Sequence, residues 1–115
     1  MKQGYDLTGK PLSEKEIQSQ IIEALSYSCK VYNVTTGVFK VSGRPPRWIT
    51  TFPKGTPDLM GFRKSDGKCF FIEVKNAKGR LSKEQLEFGK WISQYPVLYG
   101  VARSVDEAME IVKEV

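Results

Sequence analysis

The sequence predicts an α/β fold. Three stretches open on a serine followed three positions later by Glu or Gln, the signature of a capping box, and continue with apolar residues at helical spacing. Between them lie runs of β-branched and aromatic residues that fit a pleated surface. The resulting order, α, β-rich, β, β, α, β, α, occupies 115 residues, enough for one core and too few for a second independently stable unit. Residues 1–115 are therefore read as a single domain, with 1–12 as a flexible N-terminal segment.

The first helix is announced by Leu12-Ser13-Glu14-Lys15-Glu16-Ile17, in which Ser13 is the N-cap, Glu16 its return partner, and Leu12 with Ile17 a hydrophobic staple. Ile17, Ile21, Ala24, Leu25 and Ser28 carry the stripe through Tyr27. Residues 29–42 then turn β-rich, with Thr36-Gly37 as a bend, and read as a strand or a strand pair. Residues 43–57, with their prolines and glycines, read as a long surface loop. Residues 58–63 and 68–75 are strands joined by the Ser65-Asp66-Gly67 turn, and should pair as a hairpin. Ser82 and Gln85 repeat the capping-box design ahead of a stripe of Phe88, Trp91, Ile92 and Tyr95, and Pro96 ends that helix. A last strand over 97–103 leads to a third helix capped by Ser104, with Val105, Ala108, Met109 and Val112 turned inward.

Composition narrows the chemistry. The chain contains no histidine, which removes Ser-His-Asp and Cys-His nucleophilic machinery together with His-bound zinc. Carboxylates, lysine and bound metal remain. Cys29 and Cys69 read as buried free thiols of a reducing compartment rather than a disulfide, and two soft ligands are too few for a zinc site. Residues 1–6 lack the apolar stretch of a secretory signal and no apolar run approaches the roughly 20 residues of a membrane span, so the expected location is the cytoplasm. A formal charge of +5 and a pI near 9.2 favour a polyanionic partner, although the same charge also serves solubility.

The strand over 68–75 turns this composition into a site. Side chains alternate along it, so Phe70, Ile72 and Val74 face one way while Phe71, Glu73 and Lys75 face the other. A carboxylate and an amine then stand about 7 Å apart on one face. Asp58 opens the partner strand directly after Pro57, and the short turn folds it back towards the Glu73 end. Two carboxylates brought together suit Mg²⁺, a hard cation that takes oxygen ligands and keeps several waters, and the backbone carbonyl of Val74 offers one more oxygen. Such a cation acidifies water and offsets charge developing on a phosphate under in-line attack. Lys75 would orient or help deprotonate the water, or balance the phosphate charge.

Gly55-Thr56-Pro57-Asp58-Leu59, Phe71-Ile72-Glu73-Val74-Lys75, Gly79-Arg80-Leu81-Ser82 with Gln85, and Val101-Ala102-Arg103-Ser104 together resemble the PD-(D/E)xK nuclease superfamily, and more narrowly its VRR-NUC branch. The likeness runs from about Glu14 to Val112. It implies a restriction-endonuclease-like core with a mixed central sheet flanked by helices. It also implies a metal-dependent catalytic core of Asp58, Glu73 and Lys75, with Gln85 beside it on the following helix and an acid from the first helix completing the metal site. Glu16 is the best match for that acid, and Glu14 is the alternative. For small stand-alone members, often from viruses or phages, the resemblance further implies a homodimer that cuts branched DNA such as four-way junctions, with Mg²⁺ as the ion and Mn²⁺ able to replace it.

Plainer roles exist for the same residues. Capping alone would account for Glu16 and Gln85, although Gln85 also lies near the inward stripe of its helix. A lone Glu-x-Lys on a strand is usually a solvated face with a cross-strand ion pair. The joint pattern of Asp58, Glu73 and Lys75 with a basic flank favours an endodeoxyribonuclease. Arg44, Arg47, Lys54, Lys78 and Arg80 are candidate phosphate contacts, and Trp48 is a candidate stacking platform or a loop anchor. Arg63, Lys64 and Arg103 read as ordinary surface charge. The rival readings are a non-catalytic DNA-binding module and a nuclease-fold subunit of a helicase or recombination assembly, with Trp91 or Tyr95 available for an interface.

Overall fold

The computed structural model describes residues 3–114. Helix α1 spans Glu14–Leu25, and strands β1 to β5 are Cys29–Asn33, Val38–Val41, Arg47–Thr50, Leu59–Arg63 and Cys69–Val74. Helix α2 (Lys83–Ile92), strand β6 (Leu98–Ala102) and helix α3 (Val105–Val112) follow. A four-stranded mixed sheet runs in the order β1-β4-β5-β6, antiparallel except for the parallel β5–β6 pair. That pair is parallel because the chain crosses over through α2 between its two strands.

The sheet separates two environments. Phe70, Ile72 and Val74 are fully buried and pack with Ile17, Ile21 and Leu25 of α1 and Ala108 and Val112 of α3. On the opposite face Phe71 meets Phe88 of α2, with ring centroids 5.6 Å apart. Glu73 lies on the Phe71 face, and so under α2 rather than against the aliphatic core.

Two of the three predicted capping boxes are present. Ser13 Oγ accepts from Glu16 N–H while Glu16 accepts from Ser13 N–H, and Ser82 and Gln85 repeat the exchange. Ser104 caps α3, but Glu107 reaches the Arg103 N–H instead of closing the box on Ser104. The first helix stops at Leu25, two residues before Tyr27, where Ser26 Oγ bonds to the Glu23 carbonyl and the Ser28 N–H turns back to Leu25.

Several expectations give way. The stretch 43–57 is not one loop, because Arg47–Thr50 forms β3 and pairs with β2 in a separate two-stranded sheet. β2 does not continue from β1, which is drawn instead against β4 in the register Cys29↔Arg63 to Asn33↔Leu59. Local β propensity marks such strands but does not choose their partners. Met109 is 42% exposed, and Ile111 packs towards the core in its place. Within residues 3–12, Asp6 accepts from the N–H groups of Thr8 and Lys10, and the Leu12 N–H bonds to the Gly4 carbonyl. Met1, Lys2 and Val115 lie outside the described residues. Among the described residues no helix is long and apolar enough to cross a membrane.

Gly61 permits the close approach of β1 to β4. A Cβ placed there would stand 1.9 Å from the Lys30 carbonyl oxygen, which is backbone and cannot swing aside. Gly61→Ala should therefore separate the two strands and lower stability by about 3 kcal/mol, read as a fall in the urea midpoint.

Candidate active site

The β4–β5 register pairs Leu59 with Ile72, which places Asp58 opposite Glu73 one step further along the ladder. Asp58 is tied to both neighbouring strands. Its carbonyl accepts from Val34 N–H at 2.8 Å, and its carboxylate Oδ2 accepts from Val74 N–H at 2.9 Å. The preceding turn is held against α2 by Gly55, where the backbone has φ +94° and a Cβ would stand 2.6 Å from the Glu84 carbonyl oxygen. The Thr56 hydroxyl and N–H both bond to the Pro53 carbonyl and complete the turn that presents Asp58.

Glu73 is 2% exposed. Gln85 Nε2 donates to its Oε1 at 2.9 Å, while the other end of the same amide accepts the Ser82 N–H. Gln85 thus performs both tasks that the sequence left open, capping α2 and reaching the acidic cluster. Burial pushes the Glu73 carboxyl up to about 8, the adjoining Asp58 carboxyl adds to the rise, Lys75 opposes it, and Glu14 raises it further. Tyr99, the β6 partner of Phe71, lies in the same neighbourhood: burial and then the charge of Glu73 hold its phenol above the usual range. Sequence patterning gave no signal for Tyr99 beyond its place in a strand.

The acid that α1 brings to this cluster is Glu14. Its Oε1 lies 3.7 Å from Lys75 Nζ, and Gly79 packs closely against both side chains, where a Cβ would stand 3.1 Å from Glu14 Oε1 and 3.2 Å from Lys75 Cδ. Glu16 stays exposed at its capping post. Two positions along a helix correspond to about 200° of rotation, so the two glutamates point to nearly opposite sides and only one can face the sheet end. The geometry thus brings Glu14, the alternative weighed beside Glu16, towards Lys75.

The connection from β5 to α2 is held by Arg103, whose Nη1 donates to the carbonyls of Asn76 and Gly79 at 2.6 and 2.7 Å. Arg103 is therefore a brace under the segment bearing Lys78 and Arg80, not loose surface charge. Arg63 is likewise engaged, pairing with Asp66 and donating to the carbonyls of Val112 and Lys113. Among the residues expected to meet DNA, Lys78 and Arg80 are exposed, and Lys54 pairs with Glu84 at 3.6 Å. Arg44 lies in the β2–β3 connection; Arg47 and Trp48 stand on β3, with Lys40 Nζ 6.0 Å from the Trp48 ring centroid. Trp48 is 67% exposed, so it does not anchor a loop to the core. Cys29 and Cys69 are both free thiols.

Among the described residues no three His, Cys, Asp or Glu side chains converge tightly enough to cage a cation by themselves. The donors at hand are the adjoining Asp58 and Glu73 carboxylates, with Glu14 drawn to Lys75. One or two carboxylates satisfy Mg²⁺, which keeps its remaining waters, and the adjoining carboxyl groups of Asp58 and Glu73 supply that number. The residues fit the ion on that ground.

The family model of the VRR-NUC domain matches residues 12–106, a span that includes Glu14, Asp58, Glu73, Lys75 and Gln85. The chain belongs to the VRR-NUC family. It is therefore a nuclease domain whose substrate is DNA, and the mixed sheet with its flanking helices is the α/β core of that family. No curated protein and no solved structure matches the chain. In this VRR-NUC domain the acids sit where β4 and β5 share their register, and Gln85 closes over them from α2.

The raised Glu73 carboxyl makes the stability of the metal-free protein pH-dependent. Between the unfolded value near 4.5 and about 8 the folded state binds more protons, so this contribution is complete below the lower value and is lost as pH rises through the upper one. The urea midpoint in EDTA should fall from pH 5 to pH 9, and Glu73→Gln should flatten that fall.

Proposed function

We propose that the protein is a Mg²⁺-dependent endonuclease that hydrolyses DNA phosphodiester bonds through Asp58, Glu73 and Lys75. The observation that carries this reading is the adjoining pair of carboxylates, one of them buried, with the Lys75 ammonium acting on Glu73 from just past the end of β5. Asp58, Glu73 and the Val74 carbonyl would hold the ion, with Glu14 rather than Glu16 as the nearby acid of α1. When bound, the ion supplies Lewis-acid stabilisation of the phosphate and an acidified water.

The protein's own groups divide the remaining work. Val74 N–H fixes the Asp58 carboxylate, leaving its other oxygen for the ion. Gln85 fixes the rotamer of Glu73 from above. Lys75, only 11% exposed and paired with Glu14, would orient the attacking water by hydrogen bonding and balance the charge of the phosphate as an ammonium. Lys78 and Arg80, beside this site in the chain, and the exposed Arg44, Arg47 and Trp48 of the hairpin would grip phosphates and a splayed base. Within this reading the substrate class is branched DNA such as a four-way junction, cut by a pair of chains whose two sites make paired nicks.

With Mg²⁺ and a panel of four-way junction, flap, duplex and single-stranded DNA, Asp58→Asn and Lys75→Ala should each lose cleavage by about a hundredfold or more while keeping most of their DNA binding. Full-rate cutting by either variant would refute the assignment. The two glutamates of α1 separate cleanly. Glu14→Gln should slow cleavage at least tenfold, whereas Glu16→Ala should leave the rate within about threefold and cost about 1 kcal/mol of stability through the lost cap.

A further inference from the structure

Beside the acids lies a pocket of about 510 Å³ that the reaction chemistry does not use. Its walls are Phe52 and the Lys54–Thr56 turn on one side, Phe71 of β5 at the base, and Phe88 and Trp91 of α2 on the other. Three separate elements contribute to both places. Thr56 lines the pocket two residues before Asp58, Phe71 two residues before Glu73 on the same strand face, and Glu84 one residue before Gln85. Two residues of strand correspond to about 7 Å, so the pocket opens within one nucleotide's reach of the acidic pair.

The lining selects among the parts of a nucleotide. Phe52 and Trp91 are 39% and 51% exposed, and Phe71, Phe88 and Trp91 form a chain of edge-to-face rings with centroids 5.6 and 5.5 Å apart. Flat apolar walls of this kind take a flat aromatic guest. The polar lining disfavours phosphate: it holds the carboxylates of Glu84 and Glu87 against one cation, Lys54, which is paired with Glu84. Carboxylates accept from the exocyclic amino group of a base. A base that is paired and stacked in a duplex cannot enter, and one at a junction, flap or single strand can.

We propose that this pocket receives one unstacked, amino-bearing nucleobase of the DNA, next to the phosphodiester that the acids address. The inference rests on the nuclease reading above and adds a recognition element to it. Selection for unpaired DNA then arises at the site itself, because only a strand able to release a base can seat its phosphate at Asp58 and Glu73.

Binding in EDTA tests this without cleavage. Short single-stranded oligonucleotides, each carrying one abasic position moved stepwise along the strand, are titrated into the full chain and followed by anisotropy. We expect one position at which removal of the base weakens binding about tenfold, with Trp91→Ala binding the intact and abasic strands equally. Cytosine or adenine there should bind more tightly than thymine, and Glu87→Gln should reduce that preference. With Mg²⁺, the wild-type cut should fall within one or two nucleotides of the sensitive position. A flat abasic scan, or a Trp91→Ala loss that is the same for intact and abasic strands, overturns the proposal. So does a shift of oligomeric state in Trp91→Ala with no base dependence, which would make the pocket the seat of a second copy. The two readings fail separately: cutting with a flat scan removes the base pocket, and an intact scan without metal-dependent cutting removes the nuclease assignment.

Discussion

The pairing of β4 with β5 is the constraint from which the site follows. Leu59 opposite Ile72 brings Asp58 level with Glu73, and the Val74 N–H, one residue beyond, is free to bond the Asp58 carboxylate. A slip of one residue would turn every side chain of β4 to the other face and carry Leu59 out of the core. That register is secured from the opposite side of the sheet, where Leu59, Phe70, Ile72 and Val74 are fully buried against α1 and α3. The aliphatic core and the acidic pair are therefore two faces of the same strand alignment.

Burying Glu73 beside a second carboxylate works against folding, and the structure confines the conflict to one point. Its neighbours each offset part of the cost: Gln85 donates a hydrogen bond, Lys75 contributes positive charge, and Glu14 holds Lys75 at the sheet end. The remainder is expressed in a carboxyl that prefers to stay protonated near neutrality. A domain that kept such a pair only for structure would do better with apolar side chains of similar volume, since buried charge is weak evidence for stability. Under the proposed function, chemistry is the reason to retain it.

Much of the architecture was legible because local rules and global fold agree. The capping boxes at Ser13 and Ser82, the Ser65-Asp66-Gly67 turn and the alternation along residues 69–75 rest on contacts only a few residues apart. What escaped were the contacts made across the chain. Arg103 bonds carbonyls more than twenty positions away, and the hairpin of β2 and β3 needed a partner for β1 that propensity does not name. Met109 was misjudged in the same way, since periodicity reports a face but not whether anything covers it.

By itself the sequence determined which residue types could do chemistry here: a chain without histidine, with Asp58 ahead of one strand and Glu73 and Lys75 on one face of another. Spacing along a strand is a local property and survives any packing. The tertiary structure alone decided that Glu14 rather than Glu16 turns to the cluster, that Gln85 caps a helix and holds Glu73 with one amide, and that Tyr99 and an aromatic pocket adjoin the acids. Those outcomes depend on how a helix is rotated and how closely it approaches the sheet. Both are set by the sum of contacts over the whole core, which no short stretch of sequence contains.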